Sequence, residues 1–101
     1  MTPSEKPPPS QLTSVMLDIG GGFGALVVNG TPRDAERQID IVDDRGQRQH
    51  AVVHGVLTAR GSSHQAVFAS LRQGRYELLD LDGTWIRSFK IEDGRVTNVH
   101  L

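Results

Sequence analysis

Apolar and polar residues alternate in twos along most of this chain, and glycine-bearing turns interrupt the alternation at regular intervals. Val15, Leu17 and Ile19 alternate with Ser14, Met16 and Asp18, which predicts a first strand over 14–19. Gly20-Gly21-Gly22 bends the chain. Phe23–Val28 is almost wholly apolar, the pattern of a strand buried on both faces, and is expected in the middle of a sheet. Asn29-Gly30-Thr31-Pro32 marks a turn. Arg33–Gln38 reads as a helical turn or a loop, and Ile39–Val42 as a short strand closed by Asp43-Asp44-Arg45-Gly46.

The longest predicted strand runs from Arg48 to Arg60. Its odd positions, Ala51, Val53, Gly55, Leu57 and Ala59, are small or apolar and are expected to point inward. Its even positions mix Arg48, His50, His54 and Arg60 with Val52 and Val56, and are expected to be partly wet. Gly55 is a candidate bulge, which would exchange the faces beyond it. Reading Arg60-Gly61 as a hairpin turn sets Val53 opposite Phe68 and Leu57 opposite His64, with Ala66 and Phe68 inward. Arg75–Leu81, Thr84–Ile91 and Arg95–Leu101 complete the strands, joined by Asp82-Gly83 and Asp93-Gly94. Asp-Gly is a strong hairpin signal because both turn residues need positive φ. The adjacent apolar pairs Leu78-Leu79 and Trp85-Ile86 leave the faces of these last strands open. Seven or eight short strands with evenly spaced turns predict an all-β sandwich over 13–101. Residues 1–12, with Pro3, Pro7, Pro8 and Pro9, are expected to form a disordered leader.

The sharpest local pattern is Phe68-x-x-Leu71-x-x-Gly74-x-Tyr76-x-Leu78. It resembles the signature of prealbumin-like (transthyretin-like) β-sandwiches, among them the carboxypeptidase regulatory-like and collagen-adhesin B-type domains. The resemblance implies that a strand ends in the Phe-x-x-Leu pair, that the chain turns on glycine, and that the tyrosine opens the next strand. It also implies a buried tyrosine ring whose hydroxyl bonds the loop, a relative of the tyrosine corner. Arg37-Gln38-Ile39-Asp40-Ile41 fits an earlier strand of such domains. The opening Val15–Gly21 and Gly24–Val28 resemble a family of small bacterial proteins of uncharacterised activity, some carrying a phospholipase label.

Composition narrows the function classes. A chain of 101 residues with a net charge of −1 carries no basic footprint for nucleic acid and no polybasic anchor for acidic lipid. It has no cysteine, hence no disulfide, thiolate metal site or cysteine nucleophile. No apolar run approaches the roughly 20 residues that span a bilayer, and the first ten residues lack the apolar core of a signal peptide. The expectation is a cytoplasmic protein with no cofactor and no nucleic-acid or membrane partner.

Candidate chemistry is sparse. Asp18-Ile19-Gly20-Gly21-Gly22 is similar to the phosphate hairpin of the acetate- and sugar-kinase superfamily, but those enzymes close two large domains over a nucleotide. Gly20, Gly21, Gly22 and Gly24 therefore stand as a weak anion-binding bend against a plain turn. His50 and His54 on one strand would lie about 13 Å apart, too far to share a metal. The chain lacks the Tyr-Arg-Gly-Ser tail of the prealbumin-like hydroxyisourate hydrolases, and no G-x-S-x-G elbow is present. Asp43, Asp44, Asp80 and Asp82 fall where aspartates bond their own turns. Trp85 is either core or an exposed anchor for a partner.

The leading expectation is a non-catalytic protein-interaction or structural module that binds a protein or itself. Its surface would comprise Arg48, His50, Val52, His54, Val56, Arg60 and Trp85. The alternatives are a small-ligand or anion binder, or a small hydrolase, using the glycine bend and nearby histidines. A sugar-binding sandwich would need Trp85 and Tyr76 exposed together.

Overall fold

In the computed structural model, residues 19–59 and 61–101 are described. They form eight strands and one short 3-10 helix: β1 (Phe23–Gly30), η1 (Pro32–Asp34), β2 (Gln38–Asp43), β3 (Arg48–Val52), β4 (His54–Thr58), β5 (Gly61–Arg72), β6 (Gly74–Asp80), β7 (Trp85–Ile91) and β8 (Val96–His100). The strands make two four-stranded sheets: sheet one, ordered β4-β5-β1-β8, and sheet two, ordered β3-β2-β6-β7. The two sheets face each other across an apolar core and form a β-sandwich. Ser14–Asp18, most of the first expected strand, lies outside the described residues, and so does the leader; Ile19 belongs to no strand.

The alternation builds the core directly. Leu26 and Val28 of β1, Ile39 and Ile41 of β2, Ala66 and Phe68 of β5, and Tyr76 and Leu78 of β6 all point into it. Burial of these side chains drives closure, at roughly 1.5–3 kcal/mol for each large one. β1 is central as expected, with β5 antiparallel on one side and β8 parallel on the other. Gly24 shows how close the packing is. A Cβ there would collide with the carbonyl oxygens of Glu92 and Arg95, so only glycine fits.

Three expectations need correction. The predicted single strand Arg48–Arg60 is two strands in different sheets, because the chain turns at Val53 and passes from β3 to β4. The break sits two residues before the suspected bulge at Gly55. The Val53 amide donates to the Arg37 carbonyl and its own carbonyl accepts the Glu36 amide, so Val53 stays bonded to the segment that leads into β2 and is not free to pair with β5. The hairpin register also differs: Leu57 faces Ser62 and His54 faces Gln65, because the turn precedes Gly61 rather than containing it. Leu57 shares the side of sheet one that carries Ala66 and Phe68, yet it is 75% exposed, because no described residue of sheet two packs over it. Finally, Asp93-Gly94 does not make a hairpin. It carries the chain from β7 in one sheet to β8 in the other, where β8 pairs with β1. The same dipeptide signal at Asp82-Gly83 does join a β6–β7 hairpin.

The glycine-tyrosine corner forms as the resemblance implies. Gly74 adopts φ 143°, a value strained for any residue with a side chain. Tyr76 is 4% exposed, its hydroxyl donates to the Arg72 carbonyl at 2.6 Å, and its ring stacks on Phe89 with centroids 5.5 Å apart. The burial of Tyr76 excludes the paired aromatic platform that a sugar-binding reading required.

Candidate functional site: a groove beside a free strand edge

The turn at Val53 creates the most distinctive surface of the sandwich. β5 pairs with β1 along its length, from His64 to Arg72, but on its other side it pairs with β4 only over Gly61–Gln65. Continuing that register would set Val52 opposite Val67. The chain has left the sheet by then, and a groove of about 370 Å³ opens in its place. Ala51, Val52, His54, Gly55, Val56, Gln65 and Val67 line it. The lining is mostly apolar, with the imidazole of His54 and the amide of Gln65 as its polar groups.

Val53 itself plugs the junction beneath the groove and is fully buried. Arg37 holds the segment that receives it. Its guanidinium bridges Asp34 at 2.9 Å and Asp80 at 2.8 Å, while its carbonyl accepts the Val53 amide. The Thr31 amide and the Arg37 guanidinium hold the Asp34 carboxyl below its ordinary range, and Arg37 with the Leu81 amide does the same for Asp80. Glu36, whose amide reaches the Val53 carbonyl, takes a left-handed φ of 67°, a strained setting for a residue with a side chain.

The expected interaction residues are partly gathered and partly separated. Val52, His54 and Val56 meet in the groove, and both valines are half-buried. Arg48 and His50 lie on the outer face of sheet two, where Arg48 binds Asp40 at 3.2 Å. Trp85 lies on that same face but on the opposite edge strand, in the cross-strand row His50–Asp40–Leu79–Trp85. Trp85 is not core: it is 58% exposed, and its indole N–H donates to Glu77 Oε1 at 2.5 Å. The Ser88 hydroxyl reaches the same oxygen, and together these donors lower the Glu77 pKa. Arg60 lies outside the described residues.

Sequence reasoning missed four lining residues, Ala51, Gly55, Gln65 and Val67. Val67 was legible, since it alternates with the inward Ala66 and Phe68 and is therefore an apolar residue on a wet face. It also missed Asp40, buried on the outer face of sheet two, whose Oδ1 has no hydrogen-bond partner.

The other expected chemistry is dispersed or occupied. At the glycine bend, the Gly22 amide donates to the Asp93 carboxylate at 2.8 Å and the Gly20 amide to the Phe23 carbonyl. The bend is thus closed by an acidic side chain and a carbonyl, and Gly24 is buried in the sheet. Asp43 accepts the amides of Arg45 and Gln47, and Asp82 accepts that of Thr84, as turn aspartates do. The four histidines stand on four strands, β3, β4, β5 and β8. Among the described residues no three histidine or acidic side chains converge as a metal site would require. On the outer face of sheet one, Gln65 donates to Asn29, and Asn29 donates to Asn98 and to the Val99 carbonyl. These amides form a hydrogen-bonded chain among themselves.

Comparison of the chain with protein-family models, with curated proteins and with solved structures gives no match. No helix among the described residues is long and apolar enough to cross a membrane.

Proposed function

We propose that this chain is a non-catalytic interaction module on a prealbumin-like sandwich, binding a protein partner or a second copy of itself through the groove beside β4. The observation that carries this reading is the convergence of Val52, His54 and Val56 on one apolar groove next to an unpaired strand edge. Such an edge offers backbone hydrogen bonds, and a neighbouring groove offers a place for alternate side chains; together they suit an added extended segment. The Phe68, Leu71, Gly74 and Tyr76 corner supports the prealbumin-like type.

The test is to place a photo-crosslinking residue at Val52 and, separately, at Arg87 on the far edge strand. Adducts of discrete mass are expected from position 52 and not from 87. Val52→Asp and Val56→Asp should each abolish association while leaving the circular dichroism spectrum intact. An absence of adducts from position 52, or unfolding of both variants, would overturn the reading, the latter because it would make those valines core.

A further inference from the structure

We infer that the occupant of the β4 edge is β4 of a second copy, paired antiparallel about Val56 to make one continuous eight-stranded sheet; this rests on the interaction reading above. The four outer edges of the sandwich are not alike. β3 carries Arg48, and β7 carries Arg87 and Lys90, charges that oppose edge-to-edge pairing. β8 follows Arg95 and is tied across the sandwich by the Thr97 hydroxyl, which donates to the Lys90 carbonyl. β4, His54-Gly55-Val56-Leu57-Thr58, has no formally charged residue and presents a leucine 75% exposed.

The register follows from hairpin geometry. Thr58 pairs with Gly61 across a tight turn, so the peptide groups of Thr58, Val56 and His54 face β5. Those of Gly55 and Leu57 then face outward, where a strand could meet them. Centring two β4 strands on Val56 sets Gly55 of each against the partner's Leu57, with about four backbone hydrogen bonds between the strands. The side chains agree with this register. A Cβ at Gly55 would meet only the His64 ring, at 3.6 Å, so a notch exists there. The exposed Leu57 of one copy lies beside the notch of the other, and the contact occurs twice about the two-fold axis. A surface that is its own complement is what an isologous dimer demands. Val56 meets the partner's Val56 at a non-hydrogen-bonded position, where Cα atoms approach to about 4.5 Å.

That spacing suits a disulfide, and the chain contains no cysteine to confuse the result. Val56→Cys should yield a covalent dimer under mild oxidation, at least about tenfold faster than His54→Cys, which this register places opposite the partner's Thr58. Sedimentation equilibrium of the unmodified chain should show a reversible dimer, and Leu57→Lys should weaken it at least about tenfold while leaving the far-ultraviolet circular dichroism spectrum unchanged. A chain that stays monomeric, or cross-linking no faster at position 56 than at 54, would overturn the inference. A dimer that ignores Leu57→Lys but is lost with Val52→Asp would overturn the β4 pairing and leave the groove reading intact. Loss of the position-52 adducts alone would strike the groove reading instead.

Discussion

The chain crosses between the two sheets at both ends of the β4–β5 hairpin, and the two crossings are built differently. At the β5–β6 crossing, Leu71 is buried, Tyr76 is buried and bonded to Arg72, and its ring stacks on Phe89. The Gln73 amide also donates to the Gly22 carbonyl, which ties the corner to the start of β1. Aromatic burial, stacking and a hydroxyl anchor all act on the same few residues. At the β3–β4 crossing, one side chain, Val53, plugs the core, and its backbone hangs on Glu36 and Arg37. The first crossing closes the sandwich. The second leaves one side of β5 unpaired beyond Gln65 and opens the groove. A strand that changes sheets within one residue must abandon its neighbour, and the abandoned edge becomes usable surface.

Perturbing the closed corner should cost most. Tyr76→Ala removes a buried stacked ring and should destabilise the fold by about 3–5 kcal/mol, measured by urea denaturation. Tyr76→Phe should cost about 1 kcal/mol, the worth of the lost hydroxyl bond. Burial, aided by Asp43 and Asp44 and opposed by Arg72, raises the Tyr76 pKa. The neutral phenol is therefore favoured in the fold, and its contribution is fully present below the unfolded pKa and fades as pH rises through the folded value. Stability should fall above about pH 10, and Tyr76→Phe should flatten that alkaline limb. A Tyr76→Ala variant no less stable than Val53→Ala would break the contrast.

Val53→Ala comes next in size. It should cost about 2 kcal/mol and raise hydrogen exchange at His54 and Gly55 more than at Leu78, since the crossing has no second anchor of its kind. Uniform exchange across both sheets would show instead that the crossing is as firmly held as the tyrosine corner.

The smallest effect concerns the Arg37 clamp and appears in acid. Asp34 and Asp80 have carboxyl pKa values lowered from 3.8. A lowered folded pKa gives stability that is present above the unfolded value and lost as pH falls through the folded one. The wild-type chain should therefore lose stability below about pH 4, and Arg37→Ala should show a shallower acid limb than wild type. The two carboxylates are partly open to solvent, so the change at neutral pH should be modest. An unchanged acid limb would mean that the ion pairs do not hold the crossing.

How much of this could be read in advance differs between the two crossings. The tyrosine corner is local: Phe68, Leu71, Gly74, Tyr76 and Leu78 lie within eleven positions, and each carries its role in its own chemistry. The Val53 crossing is not. The small and apolar odd positions Ala51, Val53, Gly55 and Leu57 run straight through it, so that series does not mark the change of sheet. The cause lies elsewhere, in Glu36 and Arg37, which take up the Val53 backbone. The candidate site shares this fate. Val52, His54 and Val56 were evident as a mixed face, but Gln65 and Val67 join them only when the β4–β5 register is known.

The all-β class, the inward Ala66 and Phe68 of β5, the central place of β1 and the turn roles of Asp43 and Asp82 were all legible in the sequence alone. Each depends on side-chain period or on backbone chemistry spanning a few residues. Tertiary structure decided which sheet each strand joined. Asp82-Gly83 closes a hairpin and Asp93-Gly94 a crossing because β1, flanked by β5, still had one side open, and β8 filled it. It also decided that Trp85 faces solvent and that Leu57 projects uncovered, since burial depends on what packs opposite and not on the residue's own preference for water or oil.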